Sequence, residues 1–372
     1  MELLKDGWKI NYNKPIEYQI YCSEHIFEPS NKSILAGNEE GGKNRFVVVD
    51  KFIYDSYFHK MRNYFECNGI NSKIIPFESS EKNKNLENYI KLFDELDKFP
   101  INRRNEPIIA IGGGVVTDVV GFVSSCYRRG IPHIKIPTTL MGYIDASIGI
   151  KTGVNFNGNK NRMGSFEPPQ HIVLDKTFLL SLPERHILNG VGEILKIAVI
   201  KDKYLFELIE NYGIQCIEDK FQNKKGKEIL DISIQDMIKE LEPNLYESNL
   251  ERCVDFGHTF SLALEMNDVN NLLHGEAVTI DIVFSTILSR IHSLISKSEE
   301  ERVVELVKKL KLPYYSSAID PDLFWTSIRE RTYHRDGLQR IPLSTSIGTH
   351  TFVNDISYNE VVEACKAIEE YK

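Results

Sequence analysis

The stretch "EPIIAIGGGVVTDVVGF", residues 106–122, runs from four apolar residues into three glycines and out into a helical pattern. A buried strand, a glycine turn and a helix in that order is the start of a βαβ unit. Glycines at such a turn let backbone N–H groups approach a pyrophosphate, and the helix N-terminus favours the negative charge. The same turn also serves packing alone, and the spacing is not G-x-G-x-x-G, so this turn by itself reads either way.

Working outward, "RFVVVD" (45–50), "SKIIPF" (72–77) and "HIKIPTT" (133–139) read as short buried strands. "YDSYFHKMRNYFECNG" (54–69) and "VVTDVVGFVSSCYRRG" (115–130) read as helices between them. Strands alternating with helices imply a parallel sheet, here a Rossmann-like α/β domain over residues 1–181. After "SLPERHILNG" (181–190) the 3.6-residue period dominates, so residues 182–372 read as a helical domain with "FQNKKGKE" (221–228) as a surface loop. Asp50, at the end of the first strand, suits either a ribose hydroxyl or the cap of the next helix. Glu81 and Lys84 suit a nucleotide or solvent.

Composition narrows the function. The chain has 372 residues, 42% of them hydrophobic and 26% charged, the profile of a soluble globular protein of two domains. Its net charge of −8 argues against nucleic acid or an anionic membrane as partner and leaves an anionic small substrate open. No apolar run approaches the roughly 20 residues that span a bilayer. The opening "MELLKDGWKINYNKP" lacks the apolar core of a signal peptide. Six scattered cysteines without a C-x-x-C fit a reduced, cytoplasmic protein.

Three clusters carry chemistry. His258 and His274 stand sixteen residues apart, each beside a glycine and near the start of an expected helix, and Glu193 offers a carboxylate from a third helix. Two imidazoles and a carboxylate with an open position make a catalytic zinc set, able to polarise a hydroxyl and a carbonyl. Lys196 follows Glu193 by about one turn, on the same face. The polar segment "IPTTLMGYIDASIGIKTGVNFNGNKNRMGSFEPP" (136–169) offers Asp145, Lys151, Asn155, Lys160 and Asn161, a set suited to a hydroxylated, phosphorylated ligand. Arg128 and Arg129 close a helix whose dipole alone favours cations. His334-Arg335 reads as an anion contact or a charged turn.

In order and spacing, "IGGGVVTDVVGF", "YRRG", "PTTLMGYIDASIGIKTGVNF", "GNKN", "GEILK", "DFGHTF" and "LLHGEAV" resemble the sugar phosphate cyclases, the dehydroquinate synthase superfamily. The resemblance runs from about Phe46 to Ile347. It implies a Rossmann-like α/β N-terminal domain, an all-α C-terminal domain, an active site between them, and a homodimer. By position it implies NAD contacts from Asp50, Glu81, Lys84, Gly113, Gly114, Asp118, Thr138, Thr139 and Lys160. It implies zinc or cobalt on Glu193, His258 and His274. Asp145, Lys151, Lys196 and Asn161 would surround the substrate and Arg129 would hold its phosphate; Asn155, His334 and Arg335 are further candidate contacts from the residues alone. The implied reaction is transient oxidation by NAD, loss of phosphate, reduction and intramolecular aldol closure, with no net redox change.

The departures bear on the substrate. Dehydroquinate synthases place a basic residue seven positions before the first metal histidine, where this chain has Glu251; Arg252, one residue on, is the nearest cation. Their asparagine three before that histidine is Asp255, their glycine seven after the second is Asp281, and a second histidine is Leu262. A carboxylate facing a substrate carboxylate costs affinity. Asp255 and Asp281 are therefore expected to accept from a polyol, and the resemblance points to sedoheptulose 7-phosphate, which ends in a hydroxymethyl ketone. Dehydroquinate synthase activity itself, a metal-dependent polyol dehydrogenase and a non-catalytic sugar-phosphate binder are the competing readings.

Overall fold

The computed structural model describes residues 2–4, 6–35, 42–99, 101–268 and 271–372. Two short strands, β1 (Glu2–Leu4) and β2 (Gly7–Lys9), pair as a hairpin. The chain then alternates through β3 (Gln19–Cys22), β4 (Asn44–Asp50), α1 (Lys51–Cys67), β5 (Asn71–Phe77), α2 (Leu86–Asp97), β6 (Ile108–Gly112), α3 (Gly114–Cys126) and β7 (His133–Pro137). A second hairpin, β8 (Lys151–Phe156) and β9 (Asn159–Phe166), precedes β10 (His171–Leu174). The sheet order is β3-β10-β7-β6-β4-β5, with every neighbouring pair parallel.

The sheet is buried on both faces, which is why its central strands read as continuous apolar runs. Val47, Val49, Ile109 and Ile111 pack with Ile53, Met61, Tyr64 and Phe65 of α1. Their neighbours Phe46, Val48, Ile108 and Ala110 pack with α2 and with Val116, Val119 and Val120 of α3. The four expected strands form. β5 is the exception in burial, a half-buried edge strand that tolerates Pro76. β3 and β10, four residues each, were too short for periodicity to reveal.

From β4 the chain goes to the edge strand β5, then returns to β6 on the other side of β4. That reversal opens a crevice at the carboxyl ends of β4 and β6, where ligands of doubly wound sheets bind. The register pairs Val49 with Ile111, so Asp50 and Gly112 end their strands side by side at this point.

The second half comprises α4 (Glu184–Ile200), α5 (Lys203–Glu218), α6 (Lys224–Leu241), α7 (Ser261–Asn267), α8 (His274–Ile291), α9 (Lys297–Lys309), α10 (Pro321–Tyr333) and α11 (Tyr358–Glu369). α8 is its axis, buried continuously from Ala277 to Ser289 and packed by α4, α7, α9 and α11. Two features differ from the sequence reading. Most of "FQNKKGKE" is the first turn of α6, capped by Asn223, instead of a loop. The helices also carry an antiparallel hairpin, β11 (Ile341–Ser346) and β12 (Thr349–Val353). The helical core extends into the sheet half through Leu140, Tyr143, Ile144, Ile172 and Leu174, which joins the two halves at the cleft.

Candidate active site

Glu193, His258 and His274 converge, with ligand atoms all within 4.8 Å of one another. His274 begins α8 and Glu193 lies in α4. These helices cross closely because Gly192 meets Gly275: a Cβ on Gly192 would stand 2.4 Å from the Gly275 carbonyl oxygen. His258 comes from the turn before α7, after Gly257 at φ +73°. Glycine takes this left-handed backbone without a Cβ clash.

His274 Nε2 lies 3.3 Å and His258 Nε2 3.7 Å from the same Glu193 Oε1. Donors placed tetrahedrally at ~2.1 Å from a zinc ion stand about 3.4 Å apart, so the triad already has ligand spacing. Both Glu193 oxygens are buried and neither accepts a well-directed hydrogen bond, although Lys196 Nζ lies against Oε2. A fully buried carboxylate left in that state fits a divalent cation. Burial pushes the Glu193 carboxyl up, but Lys196 and the two imidazoles outweigh it and hold it well below the usual range. Burial and the Lys196 charge lower His258 to about 4. Burial would lower His274, but the Glu193 and Glu265 carboxylates beside its ring outweigh it and raise it to about 10.

Lys196 is 1% exposed and bridges the triad to Asp145, whose Oδ2 is 3.4 Å from Nζ. Its burial disfavours the charge, yet Glu193 and Asp145 overcome this and hold its pKa above the ordinary value. Burial raises the Asp145 carboxyl, with Lys196 opposing. Asp145 and Lys196, called together from sequence, therefore do meet.

On the sheet side the expected nucleotide residues form one network. Lys84 Nζ holds Asp118 Oδ2 and Asn161 Oδ1, each at 2.6 Å. Asn155 donates to Glu81 Oε1 at 2.8 Å and accepts from the Asn161 N–H at 2.9 Å. The network flanks the start of α3, whose cap, Gly113, offers no side chain to the helix end. Thr139 backs this turn: a Cβ on Gly113 would come within 3.0 Å of Thr139 Cγ2. The Thr138 N–H donates to the Gly112 carbonyl at 3.0 Å. Asp50 caps α1 through Phe52 N and Ile53 N, and its second oxygen accepts from Ser79 Oγ. A free helix N-terminus beside a strand-end carboxylate fits the pyrophosphate and ribose of a dinucleotide.

Profiles for the 3-dehydroquinate synthase N-terminal and C-terminal regions match residues 74–189 and 190–330. The chain belongs to the 3-dehydroquinate synthase family. A 2-epi-5-epi-valiolone synthase of Streptomyces albus is 43% identical over 96% of this chain and 89% of its own. A demethyl-4-deoxygadusol synthase of Trichormus variabilis is 35% identical over 98% and 90%. The solved 2-epi-5-epi-valiolone synthase of Streptomyces hygroscopicus subsp. jinggangensis, with NAD+ and Zn2+ bound, superposes with a TM-score of 0.93 at 36% identity, over 98% of this chain and all of that one.

Several expected contacts of this family member lie elsewhere. Arg129 is exposed just beyond the far end of α3, about 20 Å of helix from Gly114. Asp281 is fully buried and accepts from Phe260 N, Ser261 N and Ser285 Oγ, so it caps α7 instead of meeting a polyol. Asp255, 4% exposed, is ringed by Arg252, Arg331 and Arg335, so its oxygens are already engaged within the chain. Arg335 is thus turned inward, while His334 is exposed at the end of α10. Glu251 is exposed, but Arg252 offers no free cation in its place: Asp255 and Glu247 engage it. Glu247, one of a run of acidic residues before His258, also pairs Lys151 at 3.0 Å. Glu265 was missed. Its position in "LALEM" reads as a solvent-facing helical glutamate, yet it lies behind His274.

Proposed function

We propose that this enzyme is a sugar phosphate cyclase that converts sedoheptulose 7-phosphate to 2-epi-5-epi-valiolone with release of phosphate. The observation that carries the substrate reading is the neutralisation of Arg252 by Glu247 and Asp255 beside the metal triad. A substrate carboxylate there would meet two carboxylates, whereas a hydroxymethyl end carries no charge to repel. The 43% relative and the near-complete superposition on a 2-epi-5-epi-valiolone synthase support the same choice.

Glu193, His258 and His274 would hold Zn2+ or Co2+, and the α3 turn with Asp50, Glu81, Lys84, Asp118 and Lys160 would hold NAD. Bound there, the ion supplies a Lewis acid for a hydroxyl and a carbonyl, and the dinucleotide a hydride acceptor restored within each turnover. Lys196 fixes the orientation of Asp145 and Glu193, and Asp145 takes up the proton of the ring hydroxyl at its Oδ2. Lys151 and Asn161 bind the phosphate, for which Lys151 must exchange Glu247 and Asn161 must exchange Lys84. Leu262 carries no proton, so the leaving phosphate itself accepts the one removed from the neighbouring carbon. Residues 1–181 would present the cofactor and residues 182–372 the metal. The same proposal includes a homodimer and a cytoplasmic location, in keeping with six unpaired cysteines. Among the described residues no helix is long and apolar enough to cross a membrane.

The test is phosphate release by the metal-loaded protein with catalytic NAD, from sedoheptulose 7-phosphate and from the carboxylated dehydroquinate synthase substrate in parallel. Release from the ketose alone, with the 2-epi-5-epi-valiolone NMR spectrum, is expected. Release from the acid alone would overturn the substrate reading. A demethyl-4-deoxygadusol product from the ketose would keep the substrate and overturn the product, and lasting NADH build-up would point to a dehydrogenase.

A further inference from the structure

The two histidines of the triad are held by different means. His258 Nδ1 meets the Phe256 carbonyl at 3.1 Å, a backbone partner two residues away. His274 has the more exposed side chain, 41% against 26%, and its Nδ1 meets Glu265 Oε1 at 2.9 Å. Glu265 is itself buried in α7, its side chain 6% exposed, and its other oxygen is taken by Lys160 Nζ from β9 in the sheet half. The carboxylate thus has one oxygen on a histidine of the helical half and the other on a lysine of the opposite half.

We propose that Glu265 is the positioning residue of the metal site and that Lys160 clamps it. The inference rests on the reading of Glu193, His258 and His274 as metal ligands. By accepting the Nδ1–H of His274, Glu265 fixes the tautomer whose Nε2 lone pair points at the triad, and its charge makes that nitrogen a stronger donor. Lys160 holds the second oxygen, so the carboxylate cannot rotate away from the ring. Metal affinity in the helical half therefore depends on a residue of the β8–β9 hairpin 105 positions from Glu265 in sequence.

The experiment titrates metal-free wild type, E265Q, K160M and the double variant with Co2+, reading affinity and the visible ligand-field band, with melting curves run alongside. Wild type should bind one Co2+ with a tetrahedral-type band. E265Q should bind about 10- to 100-fold more weakly, with a shifted and weaker band. K160M should lose less, and the double variant should be no weaker than E265Q, because the lysine acts only through the carboxylate. E265Q within twofold of wild type, or losses from the two changes that simply add, would overturn the proposal. Should E265Q fail to fold, an unchanged Co2+ affinity in K160M overturns the clamp. A wild type that takes up no Co2+ would defeat the underlying metal reading, which separates the two failures.

Discussion

Replacing Asp255 by asparagine tests both the packing and the substrate argument. In the native chain Oδ1 accepts from Arg252 Nε at 3.1 Å and from its Nη2, while Oδ2 accepts from Arg331 Nη2 at 3.3 Å and from Arg335 Nη2. Burial would raise this carboxyl, but the three guanidinium groups outweigh it and hold it well below the carboxylate range. Asparagine keeps one acceptor and turns an NH2 group toward two arginines, leaving buried cations without a counter-charge. Breaking a buried ion cluster in this way costs about 3–5 kcal/mol. Urea unfolding at pH 7 should show that loss as a lower midpoint with an unchanged slope. Because the folded pKa is depressed, the native carboxylate contributes its full stability above its unfolded pKa near 3.9, and that contribution disappears as pH falls toward the folded value. The gap between wild type and D255N should accordingly stay constant from pH 7 to about 5 and close in stronger acid. The uncompensated arginines should also bind small carboxylates, measurable as competitive inhibition that the wild type lacks. A loss below about 1 kcal/mol at pH 7, with no gain in carboxylate binding, would refute the view that Asp255 is the counter-ion of this cluster.

Lys196→Met removes the cation shared by Glu193 and Asp145, so turnover with sedoheptulose 7-phosphate should fall about 10²- to 10⁴-fold while dinucleotide binding, read by fluorescence, persists; unchanged kcat would count against it. Asp281 behaves oppositely to Asp255. Burial lifts its pKa to about 6 against the bonds from Phe260, Ser285 and Ser261. The folded state then binds the extra proton between about pH 4 and 6, so stability falls as pH rises through that window. Asp281→Asn keeps an acceptor for both backbone N–H groups and should remove this component, on the order of 2–3 kcal/mol, from the melting-temperature profile. A profile identical to wild type would show that Asp281 does not titrate there.

Much of this protein was legible in order along the chain. Strand–glycine–helix at residues 106–122 and the alternating runs around it specify a parallel sheet, because period-2 and period-3.6 patterning and glycine turns are local properties. The convergence of Glu193, His258 and His274 was legible too, since each residue sits in a short motif whose glycine serves the close approach or the turn that aims it. The same motifs placed Asp145 with Lys196. What local pattern does not carry is the choice between partners far apart in sequence. Asp255 and Asp281 read alike as exposed acceptors, yet one is ringed by arginines that lie up to 80 residues away and the other caps a helix. Arg129 read as a phosphate ligand, and the structure places it at the opposite end of α3 from the glycine turn. The partners of Glu247 and Glu265 carried no signal, because those pairs exist only once Lys151 and Lys160 are folded against them. Sequence by itself determined most of the elements, the family and the acid–imidazole set proposed to hold the metal. Tertiary structure decided which charges cancel, because ion pairing depends on separation and desolvation in space, and those are set only when the two halves close on the cleft.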